Sequence, residues 1–324
     1  MKIYRTFHSY LKSTYGTAVR RICVNGGFTC PNRDGTVGVG GCIFCGERGA
    51  GEHLPDAMSV RRQVEKYFST RPKWKKYILY FQNFSNTYAP IDVLRARYDE
   101  GLSVDPRIAV LSIGTRPDCI TEEVAELLAS YRDRVDVWVE LGLQSANEET
   151  TRFCNIGYSR SRFEDAVRIL SRHGIPVVVH LLLGLPGEGE EDWIRTASYL
   201  ADLPIFGVKI HSLYVMEGTR LADLYREGRY VPLTEEACIE GVITTLLYLS
   251  PDIVIQRITG DAPEALLLAP SWNRNKDHLI EEIRRRMEER GVFQGMLFPK
   301  RKKTPTKRNE STPTEEGSLP QGPS

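Results

Sequence analysis

The stretch Phe28-Thr29-Cys30-Pro31-Asn32-Arg33-Asp34-Gly35, continued by Gly40-Gly41-Cys42-Ile43-Phe44-Cys45-Gly46, decides how this chain is read. Three cysteines, Cys30, Cys42 and Cys45, share one glycine-rich loop. Thiolates bind metals, and three close in sequence point to a metal site. Three rather than four leaves one metal position open. An iron–sulfur cluster held this way offers its remaining iron to a ligand. The competing reading is structural zinc, with His53 as the fourth ligand beside the three cysteines.

Outward from this loop, strand and helix patterns alternate. Apolar, β-branched runs lie at Arg21–Val24, Tyr77–Phe81, Ile108–Ile113, Val135–Leu143, Pro176–Leu183 and Phe206–Leu213. Helical patterns between and after them cover Val60–Phe68, Ile91–Glu100, Glu122–Tyr131, Arg162–Arg172, Glu190–Ala201 and Leu221–Glu227. Thr121, followed by Glu122 and Glu123, reads as a helix N-cap. Such alternation implies a parallel sheet with crossover helices. The expected fold is α/β, an incomplete (β/α)6 TIM-like barrel over residues 1–231. Residues 232–298 read as a small C-terminal extension packed on it, with a helix over Glu235–Leu249, a strand-like run Ile253–Ile258 and a charged helix near Asp277–Arg290. In such barrels the chemistry sits at the carboxyl ends of the strands. Polar and glycine-rich runs fall there: the cysteine loop, Gln82–Tyr88, Gly114–Asp118, Gln144–Asn147 and Gly184–Gly187.

The chain of 324 residues carries a net charge of +1. Residues 299–324 lack aromatics and are dense in Pro, Thr, Lys, Glu and Ser, which reads as a disordered basic tail. The remainder has a net charge of −2, which is not the balance of a generic nucleic-acid binder. No segment has the length and apolarity to span a membrane. Met1–His8 lacks the apolar core of a signal peptide, so a cytoplasmic location is expected. Seven cysteines, an odd number, suit a reducing compartment. The sequence does not set the oligomeric state.

The loop resembles the cluster loop of radical S-adenosylmethionine (SAM) enzymes, with Phe44 as the aromatic before the last cysteine. Eleven residues separate Cys30 from Cys42, a longer first gap than the commonest pattern, as in Elongator-like members. Cys30-Pro31-Asn32-Arg33-Asp34-Gly35 is similar to the YhcC/YtqA-like family. Leu111–Asp118, Val139–Ser145, His180–Gly187 and Lys209–Leu213 resemble, in order, segments of the Elongator catalytic subunit's radical SAM domain; its acetyltransferase domain has no counterpart here. The resemblance implies a [4Fe–4S] cluster on Cys30, Cys42 and Cys45 and SAM bound at the open iron. It also implies an electron donor of flavodoxin or ferredoxin type, and tRNA as a candidate substrate beside small molecules or proteins. Phe44 is expected beside the adenine, Gln82 and Asn83 near the SAM amino group, and Gln144 at the ribose. Glu140 and Arg116 are expected at the same site or as a buried ion pair with each other. Ile156 stands where relatives carry an arginine near the SAM carboxylate, and Arg152, Arg160 and Arg162 are the candidate replacements. Gly114 stands where some members have a glutamate. His180 and His211 are candidates for the substrate side, and Cys154 for hydrogen-atom donation. No residue is assigned to catalysis. The alternative is a zinc-binding interaction protein without enzymatic activity.

Overall fold

The β/α alternation closes into a parallel sheet in the computed structural model, which describes residues 3–298 apart from 50, 57 and 72. The expected tail at 299–324 lies outside the described residues. The chain runs α1 (Phe7–Tyr15), β1 (Val19–Val24), α2 (Val60–Thr70), β2 (Lys76–Phe81), α3 (Ile91–Leu102), β3 (Ile108–Thr115) and α4 (Glu122–Ala129). It continues with β4 (Asp136–Gln144), α5 (Glu148–Phe153), α6 (Arg160–Arg172), β5 (Val177–Leu183), α7 (Glu190–Ala201) and β6 (Gly207–Ser212). The last elements are β7 (Val215–Met216), α8 (Arg220–Arg226), α9 (Glu235–Tyr248), β8 (Val254–Arg257), β9 (Leu267–Ala269) and α10 (Lys276–Glu289).

The main sheet has the order β1-β2-β3-β4-β5-β6-β8, with every pair parallel. It is a partial barrel of seven strands, one more than the six expected. The run placed in the extension supplies the seventh: α9 carries the chain back so that β8 pairs with the open edge of β6. Six strands would have left that edge's N–H and C=O groups unpaired. The first and last strands meet through side chains, Arg21 Nη2 donating to Gln256 Oε1 at 3.2 Å. A short antiparallel pair, β7 with β9, lies outside the main sheet.

The outward faces of the strands and the covering helices form the larger core, with Leu79, Phe81, Leu111, Val139 and Val179 fully buried. Helix starts follow the local rules: Thr121 Oγ1 accepts from Val124 N at 3.2 Å. Helix α1 is an addition to the expected elements. Its Leu11, Phe7 and Tyr10 pack on the inward residues Ile78, Tyr80, Val110 and Trp138. Phe7 meets Trp138 edge-on at 5.6 Å, and Tyr10 meets Phe206 at 4.9 Å. This plug fills one part of the barrel interior with apolar side chains and leaves polar ones to the rest.

Candidate active site

The cysteine loop is held by its own polar residues. Arg33 N and Asp34 N donate to Cys30 O at 2.8 and 3.3 Å, and Cys45 N to Cys42 O at 3.0 Å. The Arg33 guanidinium donates to the carbonyls of Cys45, at 2.9 Å, and Gly46. Asn32 is buried, and its Nδ2 reaches Asn155 O at 2.6 Å and Cys42 Sγ at 3.8 Å. Asn155, with φ 52°, returns a bond from its Nδ2 to Gly41 O at 2.8 Å. Ile43 N donates to Cys154 O at 3.1 Å. Residues 154–157, following α5, are therefore the pad on which the loop docks. A Cβ at Gly38 or Gly157 would lie 2.3 or 2.8 Å from Asn32 Oδ1, so both positions need glycine for this approach.

All three cysteines line one cavity of about 570 Å³, with Phe44, Gln82, Arg116, Glu140 and Gln144. Asn83 is not in its lining: it is buried, with its side chain against Gly51 and its Oδ1 unpartnered. Neighbouring residues at a strand end point to opposite faces, so Gln82 and Asn83 cannot both face inward. His53 also lines the cavity. Among the described residues no three His, Cys, Asp or Glu side chains gather to hold one metal ion. Burial pushes the Cys42 and Cys45 thiols up; Arg116 opposes this at Cys42 and Arg33 at Cys45.

Gln144 sits at φ 66°, where the β4–β5 register shifts. Its Oε1 is buried without a partner. Its side chain folds back along the strand over Gly142, where a Cβ would lie 2.5 Å from Gln144 Nε2, so a larger residue there would displace the Gln144 side chain. Gly114 has a similar cause: a Cβ would lie 3.1 Å from Phe81 O.

The expected Glu140–Arg116 pair does not form. Arg116 lies beyond the end of β3 and binds Asp118 through Nε at 2.9 Å and Nη2 at 2.6 Å. It also donates to Ile156 O at 2.8 Å and lies 4.8 Å from the Tyr158 ring centroid. Glu140 lies deeper, within β4, and its partner is Lys209 on β6. It also accepts from Ser112 Oγ at 2.8 Å, meets His180 Nε2 at 2.8 Å and lies 3.9 Å from Arg21. Burial works against its ionisation, but Lys209, His180 and Arg21 together hold its carboxyl well below the usual range. Burial, then Arg21, pushes Lys209 down to about 7, with Glu140 opposing.

The departure at Ile156 has a structural account. Its side chain is fully buried with Ile43 and Cys154, and its carbonyl receives Arg116. None of Arg152, Arg160 and Arg162 lines the cavity. Arg162 donates to Ile120 O at 2.9 Å, and Arg160 lies over the Tyr199 ring. At the thiol end the guanidinium groups are those of Arg116 and of Arg33, the latter bonded to the Cys45 and Gly46 carbonyls. Cys154, in the same apolar cluster and outside the cavity lining, is not positioned to meet a substrate. His180 and His211 both line the cavity, their ring centroids 5.3 Å apart, and burial pushes both down. Sequence reasoning passed over Arg21, Lys209, Tyr158 and Arg257. Their signal was a charge at an inward position of an otherwise apolar strand, or, for Tyr158, an aromatic in the docking segment.

Residues 28–200 match the Radical SAM superfamily, and residues 205–289 the Radical_SAM C-terminal domain. The chain is 37% identical over 301 residues to the uncharacterized protein YtqA of Bacillus subtilis, covering 92% of this chain and 93% of that one. It is 32% identical over 292 residues to Protein YhcC of Escherichia coli, covering 90% and 94%. The structure of Methanocaldococcus infernus Elp3 with an N-terminal deletion superposes with a TM-score of 0.64 at 21% identity, over 85% of this chain and 64% of that one. That likeness is one of fold, and this chain spans less than two thirds of that protein. With the cysteine loop, the partial barrel and these matches together, the chain belongs to the radical SAM superfamily, in the family of YtqA and YhcC.

Proposed function

We propose that this chain is a radical SAM enzyme whose Cys30, Cys42 and Cys45 hold a [4Fe–4S] cluster. The observation that carries this reading is three thiols lining one cavity together with Gln82, Arg116 and Gln144. The donor set fits the group. Thiols are the usual cluster ligands, and a cluster, unlike a single zinc ion, gives each thiolate its own iron. The unpartnered Gln144 Oε1 supplies a buried acceptor in the same space. When bound, cluster and SAM would together supply a 5′-deoxyadenosyl radical by one-electron cleavage of a carbon–sulfur bond.

The chain's own residues orient and shield. Arg33 and Asn32 fix the loop. Arg116, already bonded to Asp118, retains N–H groups for a carboxylate at the thiol end. Gln144 accepts a hydroxyl, Gln82 bonds an ammonium group, and Phe44 offers an aromatic face. The cluster would be reduced by a donor of flavodoxin or ferredoxin type.

The substrate is a separate question, since fold does not fix it. A tRNA substrate is suggested by the Methanocaldococcus jannaschii protein named tRNA uridine(34) acetyltransferase, 29% identical over 194 residues, 59% of this chain and 35% of that one. The net charge of −2 before residue 299 favours a smaller substrate.

The test is anaerobic loading with iron and sulfide, then reduction with SAM present. The expected result is 5′-deoxyadenosine from the intact chain and none from Cys30→Ala, Cys42→Ala or Cys45→Ala. A chain that takes up zinc and refuses iron and sulfide would overturn the reading.

A further inference from the structure

The deep part of the cavity holds more positive than negative charge. Arg21 of β1, Lys209 of β6 and Arg257 of β8 all line it. The carboxylate among them is Glu140, which is taken by Lys209, Ser112 and His180 and lies 3.9 Å from Arg21. The two other carboxylates of the lining are engaged: Asp261 pairs with Lys276 at 3.0 Å, and Glu52 accepts from Arg48 N at 3.3 Å. Besides Glu140, Cys23 and Tyr80 are acidic groups that interact with Arg21, and burial keeps both neutral. Protonating His180 or His211 would only add to the excess.

The surplus is concentrated at the seam between the first and last strands. Among the described residues, no hydrogen bond or ion pair engages the Arg257 guanidinium. Arg21 Nε is buried without a partner, as is His211 Nε2. Arg21 is tied to the same seam through Gln256, the residue before Arg257. Buried donors such as Arg21 Nε are costly when nothing answers them, while Arg257 is half-buried and lines the cavity. A cationic pocket with spare N–H groups is what a phosphate or carboxylate requires. The thiol end has its own guanidinium groups in Arg33 and Arg116, so the pair at the seam serves a different group.

We propose that the β1–β8 seam is a substrate subsite for an oxyanion, a phosphate or carboxylate, with Arg257 as principal donor and Arg21 and His211 beside it. This rests on the cavity being the active site, and it names the substrate class: a molecule that carries its anionic group into the barrel interior.

The test is calorimetric titration of the full chain, loaded with iron and sulfide, with inorganic phosphate and separately with acetate, with and without saturating SAM. Thermal unfolding is followed in parallel, because a ligand that binds only the folded chain raises its midpoint. Expected is binding of at least one anion in the presence of SAM, weakened about tenfold or more by Arg257→Met and less by Arg257→Lys. The tighter anion identifies the group. Arg284→Met, on the exposed face of α10, should bind as the parent does, and cooperative unfolding of each variant reports that it is folded. No binding by the parent, equal binding by Arg257→Met, or loss of anion binding when SAM is added would each overturn the subsite. If no cluster forms, the reading of function fails, while the same titration on the cluster-free chain still decides the subsite.

Discussion

Glu140 and Lys209 form an ion pair at 1% and 2% exposure, so neither charge has water to fall back on. Removing one partner of such a pair strands the other. Glu140→Ala is expected to cost about 3–5 kcal/mol. Glu140→Met with Lys209→Met should recover most of this, because both desolvation costs vanish together. Urea unfolding of the two variants measures the difference. Glu188 tests burial in the opposite sense. Its Oε1 has no partner, and burial pushes its carboxyl up to about 7. The folded chain then holds a proton that the unfolded chain has released. Stability contributed by this group is therefore full below about pH 4.5 and is lost as pH rises toward 7. Glu188→Gln should flatten that decline and raise stability above pH 7 by roughly 1–3 kcal/mol, read from denaturation midpoints across pH.

The cysteine loop has no regular structure beyond turns and depends on another element for its shape. It is bonded to residues 154–157 through Asn32, Asn155 and Ile43, and Ile43 O also accepts from Leu221 N at 2.8 Å near the start of α8. Gly157→Ala would force a side chain onto φ 79° and toward Asn32 Oδ1. The expected outcome is a several-fold drop in iron retained after loading, with a stability change of only about 1–3 kcal/mol; iron analysis and thermal unfolding separate the two effects. Helix α1 contributes through packing and through Tyr15, whose hydroxyl donates to Asp136 of β4. Leu11, 5% exposed, seats it on the barrel interior. Leu11→Ala should cost about 2–5 kcal/mol, measured by urea unfolding.

The molecule divides its sheet edge between two parts of the sequence. β8 follows the expected barrel by more than twenty residues, yet it covers β6, and α9 packs on α7 with Trp193 against Gly241. A chain ending at residue 231 would expose the β6 edge and the apolar face of α7. Such edges template aggregation. The expected outcome is an insoluble product, and a soluble, cooperatively unfolding fragment would contradict the view that β8 and α9 complete the barrel. Among the described residues no helix is long and apolar enough to cross a membrane.

Period, caps and loop chemistry are local, and they were legible: the cysteine spacing, the six β/α units and the start of α4 at Thr121 all stand in short windows of sequence. Long-range pairing was not. Lys209 lies 69 residues from Glu140 and reaches it because β4, β5 and β6 lie side by side in register. From sequence, Arg116 was an equally good cation for that carboxylate. Depth along the barrel axis separated the two, and depth depends on where each strand ends. The exclusion of Asn83 from the cavity is intermediate: strand alternation allowed one of Gln82 and Asn83 to face inward, and the sheet's curvature chose Gln82. The unanswered guanidinium of Arg257 is wholly a tertiary fact. A charge lacks a partner only once every neighbour has been placed, and its neighbours come from β1, β4, β5 and β6.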